Sequence, residues 1–135
     1  MSAHGQCMCG AVSFEAGGRL RDVVNCHCYR CRRWSGHYWA ATSCDADKLA
    51  ITDTQDALRW HAPAAGVEYG FCQQCGSSLF WRITERPQLV AISAGCLDQP
   101  TGLQTSVVVW NAEHGDYHPP IPHLVEYDHD LPHED

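Results

Sequence analysis

The sequence predicts an all-β fold in one domain. Segments rich in Val, Ile, Phe, Tyr and Trp recur along the chain, and each is bounded by Gly, Pro, Asp or Ser, as strands usually are. Several of them alternate apolar and polar residues with the two-residue period of a half-buried strand. No stretch keeps helical periodicity over three turns. The 135 residues are enough for one modest core, so we predict a single domain over residues 1–135.

Eight strands are predicted, with turn residues between them. Their ranges are 11–16, 23–28, 37–42, 58–62, 67–72, 78–84, 89–93 and 106–110. Residues 29–34, between the second and third strands, are expected to form one short turn of helix. From about residue 113 the chain contains no Lys or Arg and holds four of the seven prolines. We therefore expect this acidic C-terminal tail to be an irregular strap over the sheet surface.

Composition and charge argue against several classes of protein. Apolar residues make up 44% and charged residues 19%, which is typical of a globular chain. No apolar run approaches the roughly 20 residues that span a bilayer, and residues 1–12 lack the features of a secretory signal. We expect a cytoplasmic protein without a membrane partner. A net charge of −7 would repel a phosphate backbone, so we expect no nucleic-acid partner either.

Nine cysteines in a chain of this size require a chemical explanation. A disulfide framework is one possibility, but the count is odd and nothing predicts export. Seven of the nine are clustered at short spacings, which in a reducing compartment more often indicates metal sites, and we expect two Zn²⁺ ions per chain. The other two, Cys44 and Cys96, stand alone in strand-like segments and are expected to be small apolar core residues.

Two cysteine pairs together have the ligand number of a structural zinc site. Cys7 and Cys9 are two residues apart, so an extended strand would present both thiols on one face. Cys72 and Cys75, followed by Gly76, have the spacing of a zinc knuckle. Four thiolates complete a tetrahedral, closed coordination shell.

Cys26, Cys28 and Cys31 form a third group that supplies three ligands from six residues. Four-coordinate zinc with three protein ligands keeps one position for water or substrate, which indicates a catalytic site. Spacing leaves the fourth ligand open; the candidates are His27, Cys44, Cys96 and a distant His. Spacing also leaves open a zinc ribbon, whose ligands would be Cys28, Cys31, Cys72 and Cys75.

Three stretches, in order along the chain, carry a specific family resemblance. They are residues 7–14 (CMCGAVSF), 25–36 (NCHCYRCRRWSG) and 71–81 (FCQQCGSSLFW), with a weaker match at 130–132 (DLP). Together they resemble the glutathione-dependent formaldehyde-activating enzyme family, whose domain also occurs in centromere protein V. The resemblance implies folded-over antiparallel sheets, a β-tent, with zinc knuckles. It also implies that Cys7, Cys9, Cys72 and Cys75 are structural ligands and that Cys26, Cys28 and Cys31 are catalytic ones.

The three-thiolate group favours chemistry on a thiol over hydrolysis. Three thiolates and one Zn²⁺ sum to −1, a soft shell that weakens Lewis acidity toward water but suits an incoming thiol. Arg32 and Arg33 follow the ligands directly and are candidates for binding the carboxylates of glutathione. We therefore predict a carbon–sulfur lyase-type enzyme that makes or splits a thiol adduct such as S-hydroxymethylglutathione. The alternative is a zinc-stabilised binding module without catalysis.

Five histidines in the tail are the last candidate ligands. Their spacing among acids and prolines is irregular, which favours an exposed segment, so we do not expect them to bind metal. They are His114, His118, His123, His129 and His133. The sequence predicts no oligomeric state.

Overall fold

The structure, a computed structural model, describes residues 2–132 and confirms the all-β prediction. These residues contain one α-helix, α1 (Tyr29–Ser35), and eleven strands. The strands are β1 (Ser2–Gln6), β2 (Ser13–Gly17), β3 (Val23–Cys26), β4 (Trp39–Asp45), β5 (Leu49–Thr52), β6 (Leu58–Ala64), β7 (Val67–Cys72), β8 (Ser78–Ile83), β9 (Leu89–Ser93), β10 (Thr105–Val109) and β11 (Val125–Glu126). None of the helices in residues 2–132 is long and apolar enough to cross a membrane.

The strands form two sheets. The small sheet has the order β1-β2-β5 and is antiparallel throughout. The large sheet has the order β11-β10-β3-β4-β9-β8-β7-β6. Its pairs are antiparallel, as predicted, except that β10 runs parallel to both β3 and β11. Because β10 lies beside β3, the far end of the chain returns to the strand that ends at Cys26.

The small sheet packs against one face of the large sheet through an apolar core. Phe14 of β2 meets Phe80 of β8 edge to face, with ring centroids 5.2 Å apart. Phe80 and Ile92 lie opposite each other on β8 and β9, and both are fully buried. Burying a side chain of this size contributes about 1.5–3 kcal/mol. This core holds the two sheets together and leaves the other face of the large sheet available.

That other face carries a second apolar cluster beside α1. Trp39 lies directly opposite Cys26 in the β3–β4 pair, and Tyr69, Trp81 and Ala91 continue the same face across β7, β8 and β9. Cys26, the N-cap residue Cys28 and Cys31 of α1 pack against these residues. The cysteine-rich segment is therefore seated on the face of the sheet that the small sheet does not cover.

The structure contains all eight predicted strands and the predicted helical turn, and it adds three strands that were not predicted. β1 has the sequence SAHGQ, with little β-branched or aromatic character, and it forms as an edge strand paired to β2. β5 is a four-residue strand that pairs β2 on its other edge. β11 is two residues long and lies within the tail, which is otherwise irregular as predicted.

Candidate metal centres

Four cysteine sulfurs converge where the turn after β1 meets the turn between β7 and β8. The Sγ atoms of Cys7 and Cys9 are 3.7 Å apart, and those of Cys9 and Cys72 are 3.8 Å apart. The Sγ atom of Cys75 completes the group, and all four Sγ atoms lie within 4.8 Å of one another. Four thiolates around Zn²⁺ with bonds of about 2.3 Å would have sulfur–sulfur edges of about 3.8 Å. The donor set and its spacing therefore fit a tetrahedral metal ion.

Backbone turns and hydrogen bonds hold these four sulfurs in place. Gly10 and Gly76 close the two turns with φ of 80° and 81°, a conformation that glycine adopts without strain. The Val12 N–H donates to Cys7 Sγ at 3.3 Å, and the Ser77 hydroxyl lies 3.2 Å from Cys75 Sγ. Ser77 Oγ also accepts from the Met8 N–H at 2.9 Å. One serine thus ties the two ligand turns to each other, in the manner of a second coordination shell.

The second group consists of Cys26, Cys28 and Cys31, at the junction of β3 and α1. Cys26 ends β3, Cys28 is the N-cap of α1, and Cys31 is buried in the first turn of the helix. The Cys31 N–H donates to Cys28 Sγ at 3.4 Å, so the same sulfur caps the helix. The three sulfurs lie within 4.8 Å of one another. Within residues 2–132, no further His, Cys, Asp or Glu ligand atom lies within that distance of all three.

The electrostatics of this group favour a cation. Hydrogen bonds from the sulfurs of Cys26 and Cys31, with backbone N–H groups, hold the pKa of Cys28 well below its usual range. The hydrogen bond to Cys28 raises the pKa of Cys26 to about 12, and contacts with both neighbours raise that of Cys31. One thiol ionises readily and the other two resist ionisation, because like charges at this spacing repel. A divalent cation would remove that resistance, so the residues present fit a metal ion.

Tyr69 is a neighbour of the second group that sequence reasoning missed. Its hydroxyl lies 3.8 Å from Cys31 Sγ, and burial followed by the charges of Cys31 and Cys28 raises the pKa of this phenol. The hydroxyl therefore stays protonated and can donate to the sulfur. Trp34 packs edge to face on Tyr69, at 4.8 Å between centroids, and on Trp39, at 5.1 Å. The only sequence signal for Tyr69 is the alternation of side chains along β7, which indicates that Tyr69 lies on this face of the sheet.

The two predicted carboxylate-binding arginines lie on α1. Arg32 is half-buried, and its Nε donates to the Glu113 carbonyl at 3.1 Å. The Glu113 carboxylate accepts from the Tyr29 N–H at 2.9 Å, so the tail is fastened to the start of the helix. Arg33 is exposed. The structure places both beside the cysteines and gives Arg32 a partner in the tail.

A cleft with two further arginines lies on the same sheet face as the second group, which Trp81 and Ala91 share with the cysteines. Arg21 and Arg86, with Ser43, Trp81 and Ala91, line a cavity of about 50 Å³. Ser43 is four residues beyond Trp39 on β4, which is about 13 Å along an extended strand. The Arg21 guanidinium donates to the Ala41 carbonyl at 3.0 Å. Neither arginine was predicted, because the cleft that they line forms only when β4, β8 and β9 pair.

The remaining predicted residues divide as follows. The ribbon set of Cys28, Cys31, Cys72 and Cys75 does not assemble, because its members belong to two separate groups. Cys44 and Cys96 lie outside both groups, and burial raises the pKa of each to about 11. Cys44 is a buried core thiol, as predicted, whereas Cys96 is only partly buried and approaches the Ser78 carbonyl at 3.5 Å.

The histidines show a clear departure from the sequence interpretation. His27 is fully buried and outside the cysteine group, with its ring against His37, Tyr38, His114 and His118. Burial, followed by the charges of the three neighbouring histidines, lowers the pKa of His27 to about 4. The tail histidines were expected to lie on an exposed segment, and His114, His123 and His129 are exposed, but the rings of His114 and His118 also contact His27. His133 lies outside the described residues.

Comparison with known proteins now decides the family. The sequence model of the glutathione-dependent formaldehyde-activating enzyme family matches residues 2–113, which include both cysteine groups. The chain belongs to this family. The expectation drawn from the three cysteine-containing stretches is thereby confirmed.

Two individual proteins are similar to this family member. An uncharacterized lyase of Schizosaccharomyces pombe is 29% identical over 80 residues, which cover 59% of this chain and 57% of that protein. The match thus spans little more than half the length of that relative. A crystal structure of a Rhodobacter sphaeroides protein superimposes with a TM-score of 0.61 and 20% identity, covering 92% of this chain and 98% of the other. That likeness supports the fold.

Proposed function

We propose that the protein is a zinc-dependent carbon–sulfur lyase-type enzyme that makes or splits the adduct of a small thiol with an aldehyde. The observation that carries this proposal is the group of Cys26, Cys28 and Cys31. It offers three sulfurs at ligand spacing, and residues 2–132 supply no fourth ligand atom within 4.8 Å of all three. Family membership supports glutathione as the thiol and formaldehyde as the aldehyde. S-hydroxymethylglutathione is then the adduct.

Zinc bound by three thiolates would supply one open coordination position that favours a thiolate over a thiol. In the forward direction the sulfur lone pair forms a bond to the carbonyl carbon, and the C=O electron pair moves to oxygen, which takes up a proton. In reverse, the hydroxyl loses its proton as the C–S bond breaks. No redox partner is required. The second group, Cys7, Cys9, Cys72 and Cys75, has no open position in a tetrahedral shell and is proposed to be structural.

Neighbouring side chains determine the environment in which this reaction would occur. The Tyr69 phenol donates to the Cys31 sulfur and lowers its charge density, which preserves the acidity of a metal held there. Trp34 and Trp39 cover the cysteines on the sheet side and exclude water from that side of the group. Their apolar surface suits the uncharged carbon of an aldehyde adduct.

Substrate carboxylates are proposed to bind arginines on either side of the group. Glutathione carries two carboxylates, and charge-assisted hydrogen bonds to guanidinium are among the stronger polar contacts. Arg32 and Arg33 remain candidates from α1. Arg21 and Arg86 line a small cavity on the same sheet face, and the extended thiol would reach toward it along β4. Two arginine pairs are thus candidates for carboxylate binding in a chain with a net charge of −7.

The alternative is a zinc-stabilised binding module. It is favoured by one observation, namely that the cavity lined by Arg21 and Arg86 measures only about 50 Å³, which is small for a whole tripeptide. In this reading the metal shapes a surface and no bond is made or broken. None of the nine cysteines forms a disulfide. This supports a location in the reducing cytoplasm, whether the protein is an enzyme or a binding module.

Exchange spectroscopy by NMR on a mixture of glutathione and formaldehyde tests the proposal. The purified protein should accelerate exchange between free glutathione and its hydroxymethyl adduct, and Cys28→Ala should remove the acceleration. Cys44→Ala is the matched control, because Cys44 is a thiol outside both groups, and it should retain the activity. An exchange rate that the protein leaves unchanged would contradict the enzyme proposal and support the binding module.

A further inference from the structure

Four histidines from three separate segments meet beside α1. His27 comes from the loop before α1, His37 from the loop before β4, and His114 and His118 from the start of the tail. The ring of His118 is central: its centroid is 4.4 Å from that of His27, 5.0 Å from His37 and 6.1 Å from His114. This histidine cluster includes four of the nine histidines in the sequence and is not used by the proposed reaction.

The buried member of the cluster lacks a hydrogen-bond partner. His27 has no exposed surface, and neither Nδ1 nor Nε2 has a partner among the described residues. A neutral imidazole carries one N–H donor and one lone pair, and leaving such a group unsatisfied in the interior is unfavourable. Its ring lies against the three other histidines. A ligand bound among the rings would satisfy one of these two atoms.

The hydrogen bonds of the other rings leave lone pairs available. His114 Nδ1 is 2.8 Å from the Gly115 carbonyl, which can only accept, so Nδ1 carries the proton and Nε2 has the free lone pair. Histidines that bind metals usually donate their other N–H in this way. His37 Nε2 and His118 Nδ1 form a hydrogen bond of 3.1 Å, in which one nitrogen donates and the other accepts, so a metal bound by both would replace the shared proton. Two nitrogens on one tetrahedral zinc ion, with bonds of about 2.0–2.1 Å, would be about 3.3 Å apart.

A tight turn brings the two tail histidines to one side. The His118 N–H donates to the Gly115 carbonyl at 3.0 Å, which folds residues 114–118 back on themselves. The Tyr117 ring lies over Gly115, so a larger residue at that position would require the exposed tyrosine ring to move. His114 is exposed while His37 and His118 are half-buried. The outermost ring can therefore move toward the others without disturbing the core.

We propose that His37, His114 and His118, with His27 beneath them, form a third metal site that takes a divalent transition metal. Imidazole nitrogens suit Zn²⁺, Cu²⁺ and Ni²⁺, and the absence of sulfur donors in this cluster distinguishes the site chemically from both cysteine groups. The charge of Glu126 acts on His118, and the chain as a whole carries −7, which favours a cation. The positive charge of Arg32 near His27 acts in the opposite sense.

The site is less preformed than the cysteine groups. Within residues 2–132, the sets of three or more candidate ligand atoms within 4.8 Å of one another are the two cysteine groups. Binding therefore requires the exposed His114 ring to turn inward, and this movement lowers affinity relative to the thiolate sites. We expect the cysteine groups to fill first and the histidine cluster to fill when further metal is added.

Zinc titration of the intact protein tests the site without any activity measurement. Protein isolated with both cysteine groups loaded should bind one further Zn²⁺ per chain, measured by calorimetry and by elemental analysis after gel filtration. His118→Ala and His37→Ala should each abolish the further ion and keep the first two. His61→Ala, an exposed histidine on β6, is the matched control and should bind all three.

Cobalt gives an independent spectroscopic readout. A further Co²⁺ bound by histidine should add d–d absorption without any additional thiolate-to-metal charge transfer, and His118→Ala should lose that addition. Saturation at the two cysteine-bound ions would overturn the proposal. Retention of the further ion by both histidine variants would overturn it as well, because the ion would then lie elsewhere. These outcomes do not depend on whether the protein is a lyase.

Discussion

Replacing Cys72 with serine should destabilise the protein far more than the same change at Cys26. Cys72 and Cys9 are 63 residues apart, and their sulfurs are 3.8 Å apart in the first group. A metal held by this group links the turn after β1 to the β7–β8 turn across nearly half the chain. Cys26, Cys28 and Cys31 instead lie within six consecutive residues. Their metal links only β3 to α1.

The two magnitudes follow from the loops that each metal closes. If the metal acts as a cross-link, closing 63 residues removes about 4 kcal/mol of chain entropy from the unfolded state, whereas closing five removes about 2 kcal/mol. For a domain of this size 1 kcal/mol corresponds to about 4 °C in melting temperature. Cys72→Ser should therefore melt roughly 15 °C lower or fail to fold, and Cys26→Ser should lose no more than about 8 °C.

The assay is thermal unfolding followed by circular dichroism, with the metal content of each sample measured beforehand. Cys44→Ser is the matched control, because Cys44 and Cys72 are both buried in the same apolar core and only Cys72 belongs to a ligand group. The control isolates the cost of burying a hydroxyl in place of a thiol. Equal losses in Cys72→Ser and Cys26→Ser, or equal losses in Cys72→Ser and the control, would refute the reasoning.

Three further predictions follow from single contacts. Once a chelator removes metal, alkylation at pH 8 should modify Cys28 rapidly, because hydrogen bonds from the sulfurs of Cys26 and Cys31 hold its pKa well below its usual range. Cys44 should react slowly, because it is buried and burial raises its pKa to about 11. Mass spectrometry checks this, and rapid labelling of Cys44 in folded protein would contradict it. Arg86→Ala should raise KM for the glutathione adduct about tenfold or more with little change in kcat. Arg59→Ala, at a half-buried arginine outside the cavity, should leave KM unchanged. Steady-state kinetics decide, and an unchanged KM in Arg86→Ala would remove Arg86 from the site. Gly5→Ala should lower the free energy of unfolding by about 1–3 kcal/mol, because the new Cβ would lie 2.4 Å from the Cys96 carbonyl and the Phe14 ring. Gly95→Ala is the control, because its Cβ would have nothing within 4 Å, and it should be nearly neutral. Denaturant unfolding measures both, and equal effects would contradict the packing argument.

Local pattern was sufficient to predict most strands and both cysteine groups. Strand alternation is a short-range signal, and the cysteines of each pair or triplet are neighbours in sequence. Joining Cys7 and Cys9 to Cys72 and Cys75 needed more, because spacing alone also allowed a zinc ribbon. The family resemblance favoured the set of Cys7, Cys9, Cys72 and Cys75 over the ribbon. The sulfur distances in the structure agree with that set.

Features that depend on tertiary pairing could not be predicted. Tyr69 reaches Cys31 from 38 residues away, through a register that no local pattern specifies. The Arg21 and Arg86 cleft depends on the pairing of β4 with β9. The tail histidines were interpreted as exposed because acids and prolines surround them. In the structure the Glu113 carboxylate fastens the tail to α1 and brings His114 and His118 against the buried His27.

Cobalt substitution of the second cysteine group tests the central claim most directly. With Co²⁺ in both cysteine groups, added glutathione should change the visible absorption and increase thiolate-to-cobalt charge transfer, because a fourth sulfur joins Cys26, Cys28 and Cys31. Cys28→Ala should abolish this response, and Cys44→Ala should leave it intact. A spectrum that saturating glutathione leaves unchanged would show that the second group has no position open to a thiol, and the account of this protein as a thiol-adduct lyase would be contradicted.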